Sequence, residues 1–160
     1  MATVAAASGY SRIAVYRHFG SRAGLLTALL AHIDEAEGAQ EAVREILRAP
    51  TPANTIERLF AWWSTYVPQF AGVARGVLAA RHADADLQVA WEHRMRDLRR
   101  VCDAVADRCS RDGDTPDDLA DRLWVLVSVP LWIQLADDGW DADRYRQTLT
   151  NLALAALRQD

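Results

Sequence analysis

Lysine is absent from this 160-residue chain, and all 18 basic residues are Arg. Together with the many alanines this reflects coding composition more than function. It does leave every cation a guanidinium, the group suited to bidentate phosphate and guanine contacts. Cysteine is scarce as well. Cys102 and Cys109 sit seven apart in a helical stretch, where they would be separated by about 10 Å, beyond disulfide reach. No CxxC motif or basic cluster lowers a thiol pKa, so they read as buried thiols in a reducing cytosol rather than redox sensors.

Long apolar runs are missing too. The longest, "LWVLVSVPLWIQLA" at 123–136, falls short of a bilayer span and reads as a buried core helix. With no visible signal peptide, the expected location is cytoplasmic, with no membrane partner. Strand alternation and Asn-Gly or Asp-Gly hairpins are nearly absent. So are a Gly-rich phosphate loop, a nucleophile elbow and a supported Ser/His/Asp trio. No catalytic residue, cofactor or enzyme activity is therefore expected. His82, Asp84 and Asp86 in "RHADAD" could be drawn as metal ligands but read better as a solvated turn, so no metal is expected either.

What is present is an ordinary globular balance, 51% apolar and 25% charged, enough for one or two compact domains. The net charge of −4 disfavours a generic nucleic-acid binder. It is distributed unevenly, however. Residues 1–32 hold Arg12, Arg17 and Arg22 with no acid, a balance of +3. Residues 33–160 hold 15 Arg against 22 acids, a balance of −7. A basic tip on an acidic body fits a local phosphate footprint.

Helical periodicity dominates, and the fold class is all-α. Ser21 is expected to cap a helix carrying Leu25, Leu26, Leu29, Leu30 and Ile33, running through Gly38 toward Leu47. Thr51 and Pro52 should open another that presents Ile56, Leu59, Phe60, Trp63 and Val67 and is broken or kinked by Pro68 and Gly72. A long helix from about Asp84 to Arg111 buries Leu87, Trp91, Met95, Leu98, Val101, Cys102 and Val105. Thr115, Pro116, Asp117 and Asp118 should start the next, apolar on every face after Arg122 and kinked at Pro130. Asp141 should cap a final helix lined by Tyr145, Leu149, Leu152 and Ala156.

The opening segment carries the functional signal. Residues 4–8 read as a short small-residue helix, Gly9 as a left-handed turn residue, and Ser11 as the cap of a second helix. That helix turns Val15 and Phe19 inward and leaves Arg12, Ile13, Ala14, Tyr16 and Arg17 outward, the arrangement that major-groove reading needs. Through "VAAASGYSRIAVYRHFGSRAGLLTALL", residues 4–30, with its Tyr16-x-His18-Phe19 core, the sequence resembles the tetracycline-repressor (TetR) family of one-component regulators.

The resemblance implies an incomplete helix-turn-helix head, residues 1–32, on a TetR-like ligand-binding and dimerisation body, residues 33–160. Its recognition helix would be 11–19, with Ser11 as cap. Arg12, Ile13, Ala14 and Arg17 would face bases, while Tyr16, His18 and Arg22 would contact phosphates. Two departures stand out. Gly24 occupies a position where relatives often carry an acid, and the family's first helix has no counterpart here. The expectation is that a chain starting at Met1 binds an operator poorly and that restoring an upstream helix restores binding.

The implied function is a ligand-responsive transcriptional regulator, a repressor by the family's habit. It would act as a homodimer on a palindromic double-stranded DNA operator and be released by a small apolar or aromatic effector. The effector would lie among Trp63, Tyr66, Phe70, Trp91 and Trp124, with polar help from Tyr66 and Gln134. The dimer would form through helices at about 116–136 and 142–158. Trp62 and Trp63 are adjacent and cannot share a face, so one must meet a cavity, an interface or solvent. The alternative reading is a truncated dimeric small-molecule-binding module without DNA binding.

Overall fold

The structure, a computed structural model, describes residues 9, 11–110 and 118–157. Those residues are helical throughout, with no strand among them. In chain order the helices are α1 (Arg12–Phe19), α2 (Arg22–Ala36), α3 (Ala39–Leu47), α4 (Pro52–Ala80), α5 (Ala85–Ser110), α6 (Leu119–Leu126), α7 (Val129–Asp137) and α8 (Ala142–Leu157). A single 3-10 turn, Arg81–Ala83, joins α4 to α5 at the expected "RHADAD" turn. The expected helix at 4–8 and the helix start at Thr115, Pro116 and Asp117 lie outside the described residues.

Local start chemistry is realised where the sequence places it. Ser11 Oγ accepts from the Ala14 amide at 3.1 Å and Ser21 Oγ from the Gly24 amide at 3.0 Å. Thr51 Oγ1 accepts from the Asn54 amide at 3.2 Å, ahead of Pro52 in the first turn. Asp141 Oδ1 accepts from the Arg144 amide at 2.7 Å. Each bond satisfies a helix N–H that has no partner within the helix.

Three boundaries differ from expectation. The helix from Ser21 stops at Ala36, and Gly38 (φ 58, left-handed) starts α3 in a new direction. Only glycine holds that backbone region without steric cost. In the opposite sense, α4 continues unbroken through Pro68 and Gly72 for 29 residues. Pro68 removes one ladder bond and costs about 3 kcal/mol in a helix interior. Beyond it Phe70, Ala71, Ala74 and Val77 are all buried, and large apolar side chains contribute about 1.5–3 kcal/mol each when buried. Tertiary cover outweighs the local penalty.

The third difference lies in the apolar run. The expected single helix with a kink at Pro130 is two helices, parted at Val127 and Ser128. Ser128 is extended and caps the new start, so Pro130 falls in the first turn, where its missing N–H costs nothing. Leu119–Asp137 has the length and apolarity to cross a membrane by composition. Broken into helices of 8 and 9 residues, it offers pieces of only about 12–14 Å against a hydrocarbon core of about 30 Å.

Nor is this run buried on every side. Leu119, Leu123, Val127, Val129 and Trp132 are buried, whereas Val125 is 67% exposed. On α8 the inward set is Tyr145, Leu149 and Ala153, and Leu152 is 53% exposed rather than facing the core.

Helix α4 is the axis of the molecule, contacting α3, α5, α7 and α8. Trp63 on α4 donates from Nε1 to Tyr145 Oη on α8 at 3.0 Å, with both side chains fully buried. Arg75 on α4 pairs with Asp137 on α7 at 2.5 Å. Helix α5 closes the other side, and its Arg99 reaches Asp121 on α6 at 2.7 Å. Both cysteines are buried and neither forms a disulfide, and burial pushes the Cys102 thiol up to about 12. A thiol held protonated in this way is a packing group rather than a reactive one.

Candidate functional site: the head helix and the polar centre behind it

Helix α1 packs chiefly on α2. Gly9 takes the left-handed φ of 72° expected of the turn before it. Val15 is buried and Phe19 half-buried, the latter edge-on to His18 at 4.6 Å. The outward side carries Ile13 (80% exposed), Tyr16 (45%), Arg17 and His18. Ser11 is exposed at the cap and Ala14 is half-buried. The Arg12 side chain lies outside the described residues. Arg22, at the first position of α2, is exposed and sits 3.8 Å from Asp84. Such an open pair is worth little and leaves the guanidinium available.

The turn between α1 and α2 is tight. A Cβ at Gly24 would lie 2.0 Å from the Phe19 carbonyl oxygen, so no side chain fits there without moving backbone. The expected boundary at residue 32 falls inside α2, which runs unbroken from Arg22 to Ala36.

At the far end of α2 lies a cluster that sequence reasoning did not single out. Arg94 of α5 holds both carboxylate oxygens of Asp34 at 2.8 and 2.9 Å. Tyr66 of α4 donates to Asp34 at 2.5 Å and accepts from Arg94. The guanidinium also lies 5.5 Å from the Phe70 ring centroid and 5.6 Å from that of Tyr66. Burial raises the Tyr66 phenol far above the ordinary range. The Arg94 charge opposes that shift and the bond to Asp34 reinforces it. Tyr66 thus stays protonated and remains a donor. These partners lie 32 and 60 residues from Asp34 along the chain, and no local motif marks them.

The residues expected to hold an effector are dispersed differently. Trp63, Tyr66, Phe70 and Trp91 come together in the core, all nearly fully buried, with Phe70 stacked on Trp91 at 5.9 Å. Trp124 is half-buried on α6, and Gln134 is exposed on α7. The open space lies beside them. One cleft of about 390 Å³ lies by α3 and α5 and is walled by Trp62, Val43, Leu98 and Val101. A second of about 610 Å³ runs between α2 and α5, past Thr27, Ala31, Val89 and His93. Both clefts are also lined by Asp34 and Arg94. The adjacent tryptophans part as their neighbourhood in sequence requires: Trp63 is sealed in the core, and Trp62 borders the smaller cleft.

No family of proteins matches the chain, and neither a curated protein nor a solved structure matches it. What the site can do rests on its own geometry.

Proposed function

We propose that the chain is a TetR-type, ligand-responsive transcriptional regulator that acts as a homodimer on a palindromic operator. The observation that carries this reading is α1. An eight-residue helix, capped by Ser11 and set off by a glycine turn, exposes Ile13, Tyr16, Arg17 and His18 together. Ile13 is 80% exposed, and an apolar contact to a thymine methyl beside basic and hydroxyl donors is groove chemistry. Arg22 follows immediately for phosphate.

The dimer is supported by Val125 and Leu152, large apolar side chains exposed on α6 and α8. These two helices pack on each other, and a second copy is the natural cover for such a surface. Coupling would run along α2. From Arg22 to Asp34 it spans about 18 Å, with DNA-facing groups at one end and the Asp34–Arg94–Tyr66 cluster at the other. A coupling of about 1–3 kcal/mol is enough to change operator affinity 5- to 150-fold.

The test is selection from random duplexes, followed by anisotropy titration. It is run on the 160-residue chain and on the same chain preceded by any in-frame upstream sequence. The expected outcome is an enriched palindrome, with half-sites about one helical turn or a multiple apart. Binding should weaken with salt and be lost in Arg17→Ala and Tyr16→Ala. An absence of sequence enrichment for both forms refutes the proposal and favours a dimeric ligand-binding module.

A further inference from the structure

The clefts differ in one respect that points to a ligand. Three buried polar side-chain atoms lack a hydrogen bond among the described residues: Trp62 Nε1, Arg81 Nε and Gln88 Oε1. Only Trp62 lines one of the clefts described above. Its unmet group is a donor, so what is missing there is an acceptor. The acids around the same cleft are already matched. Asp34 is held by Arg94, and Asp97 accepts from Arg100 at 2.7 Å. Gln88 Oε1, the one unpaired acceptor of the three, lies elsewhere.

We propose that the Trp62 cleft binds an amphipathic carboxylate. Its apolar or aromatic body lies against Trp62, Val43, Leu98 and Val101, and its carboxylate takes over Arg94 from Asp34. The guanidinium already grips a carboxylate through two nitrogens, the planar fork geometry that makes Arg a carboxylate receptor. Its side chain is only 16% exposed, so the exchange takes place largely out of water, where charge discrimination is strong. The entering ligand also gives the Trp62 indole N–H an acceptor.

The entering carboxylate takes the same two guanidinium nitrogens that hold Asp34. Ligand binding and a seated Asp34 therefore exclude one another, and Asp34 leaves as the ligand arrives. Because Asp34 anchors the C-terminal end of α2, its release loosens the helix that carries α1. That last consequence rests on the regulator reading; the binding itself does not.

Calorimetric titration of the 160-residue chain with 4-phenylbutyrate, and with uncharged 4-phenylbutyramide of the same shape, tests the assignment. The carboxylate should bind about tenfold or more tighter than the amide, the discrimination expected of a hydrogen bond to a charged group. Asp34→Asn removes the competing charge and should tighten carboxylate binding while leaving the amide unchanged. A purely structural role for Asp34 would give the opposite sign. Trp62→Phe keeps the wall but deletes the donor, and should weaken binding several-fold without lowering Tm. Arg94→Gln strands Asp34 and risks unfolding, so Asp34→Asn carries the decision. The proposal is overturned by the absence of heat from either compound, by equal binding of the two, or by unchanged or weaker carboxylate binding in Asp34→Asn. Carboxylate binding that leaves a selected operator complex intact upholds the cleft and overturns its coupling to the head.

Discussion

Replacing Tyr145 with Phe removes one oxygen from the centre of the molecule. Tyr145 Oη accepts from Trp63 Nε1 at 3.0 Å, and both residues are 0% exposed. The ring itself, edge-on to Trp132 at 4.8 Å, is retained by Phe. What is lost is the hydrogen bond, and what is created is an indole N–H buried with no partner. That combination costs about 1–3 kcal/mol. Trp63→Phe alone strands the Tyr145 hydroxyl and opens a void. The double variant Trp63→Phe/Tyr145→Phe strands nothing, so the two single losses should sum to more than the double loss, by about 0.5–3 kcal/mol.

The same bond has a pH signature. Burial pushes Tyr145 from 10.0 up to about 12, the Trp63 donor pulling slightly the other way. The folded state therefore resists ionisation that the unfolded state accepts. Its contribution is fully present below pH 10 and is lost as pH rises through about 12, at about 1.4 kcal/mol per pH unit. Phe has no such proton to lose. The advantage of the wild type over Tyr145→Phe should be constant from pH 7 to 9.5 and then narrow. Cys102, also raised to about 12, titrates in both proteins and cancels in the difference. Urea melts followed by far-ultraviolet circular dichroism at half-unit pH steps give the measurement. A neutral Tyr145→Phe at pH 7, or a difference that stays constant to pH 11.5, would refute the reasoning.

Two further perturbations probe the α1–α2 turn and the proposed dimer. Gly24→Ala places a Cβ 2.0 Å from the Phe19 carbonyl, so hydrogen exchange should rise across α1 and the start of α2 while α4 and α8 stay protected; unchanged exchange at residues 12–26 argues against the tight turn. Val125→Arg or Leu152→Arg, each at an exposed apolar site, should shift the mass by analytical ultracentrifugation from two chains to one with the monomer fold intact, and a wild-type chain that is monomeric at micromolar concentration would defeat the interface.

The sequence by itself determined the all-helical class, the helix starts at Ser11, Ser21, Thr51 and Asp141, and the buried face of α4 from Ile56 to Val67. These features depend on residues within a turn or two of one another, where a cap, a proline or a 3.6-residue period acts whatever the rest of the chain does. Of the side chains expected outward on α1, Ile13, Tyr16 and Arg17 were legible for the same reason, whereas Ala14 is half-buried. Only the tertiary structure decided that α4 runs through Pro68, because buried residues beyond the proline outweigh its local cost. Likewise it decided that the 119–137 run divides at Ser128 rather than kinking at Pro130, as tertiary packing selects where the helix restarts. The polar centre was invisible from the chain alone. Asp34, Tyr66 and Arg94 belong to three helices, and each by itself is an ordinary surface or core residue. Only the packing of α2 and α5 against α4 puts an acid, a phenol and a guanidinium in bonding contact. The same packing seals Trp63 and leaves Trp62 at the edge of a cleft, a choice that adjacency in sequence demands but cannot make.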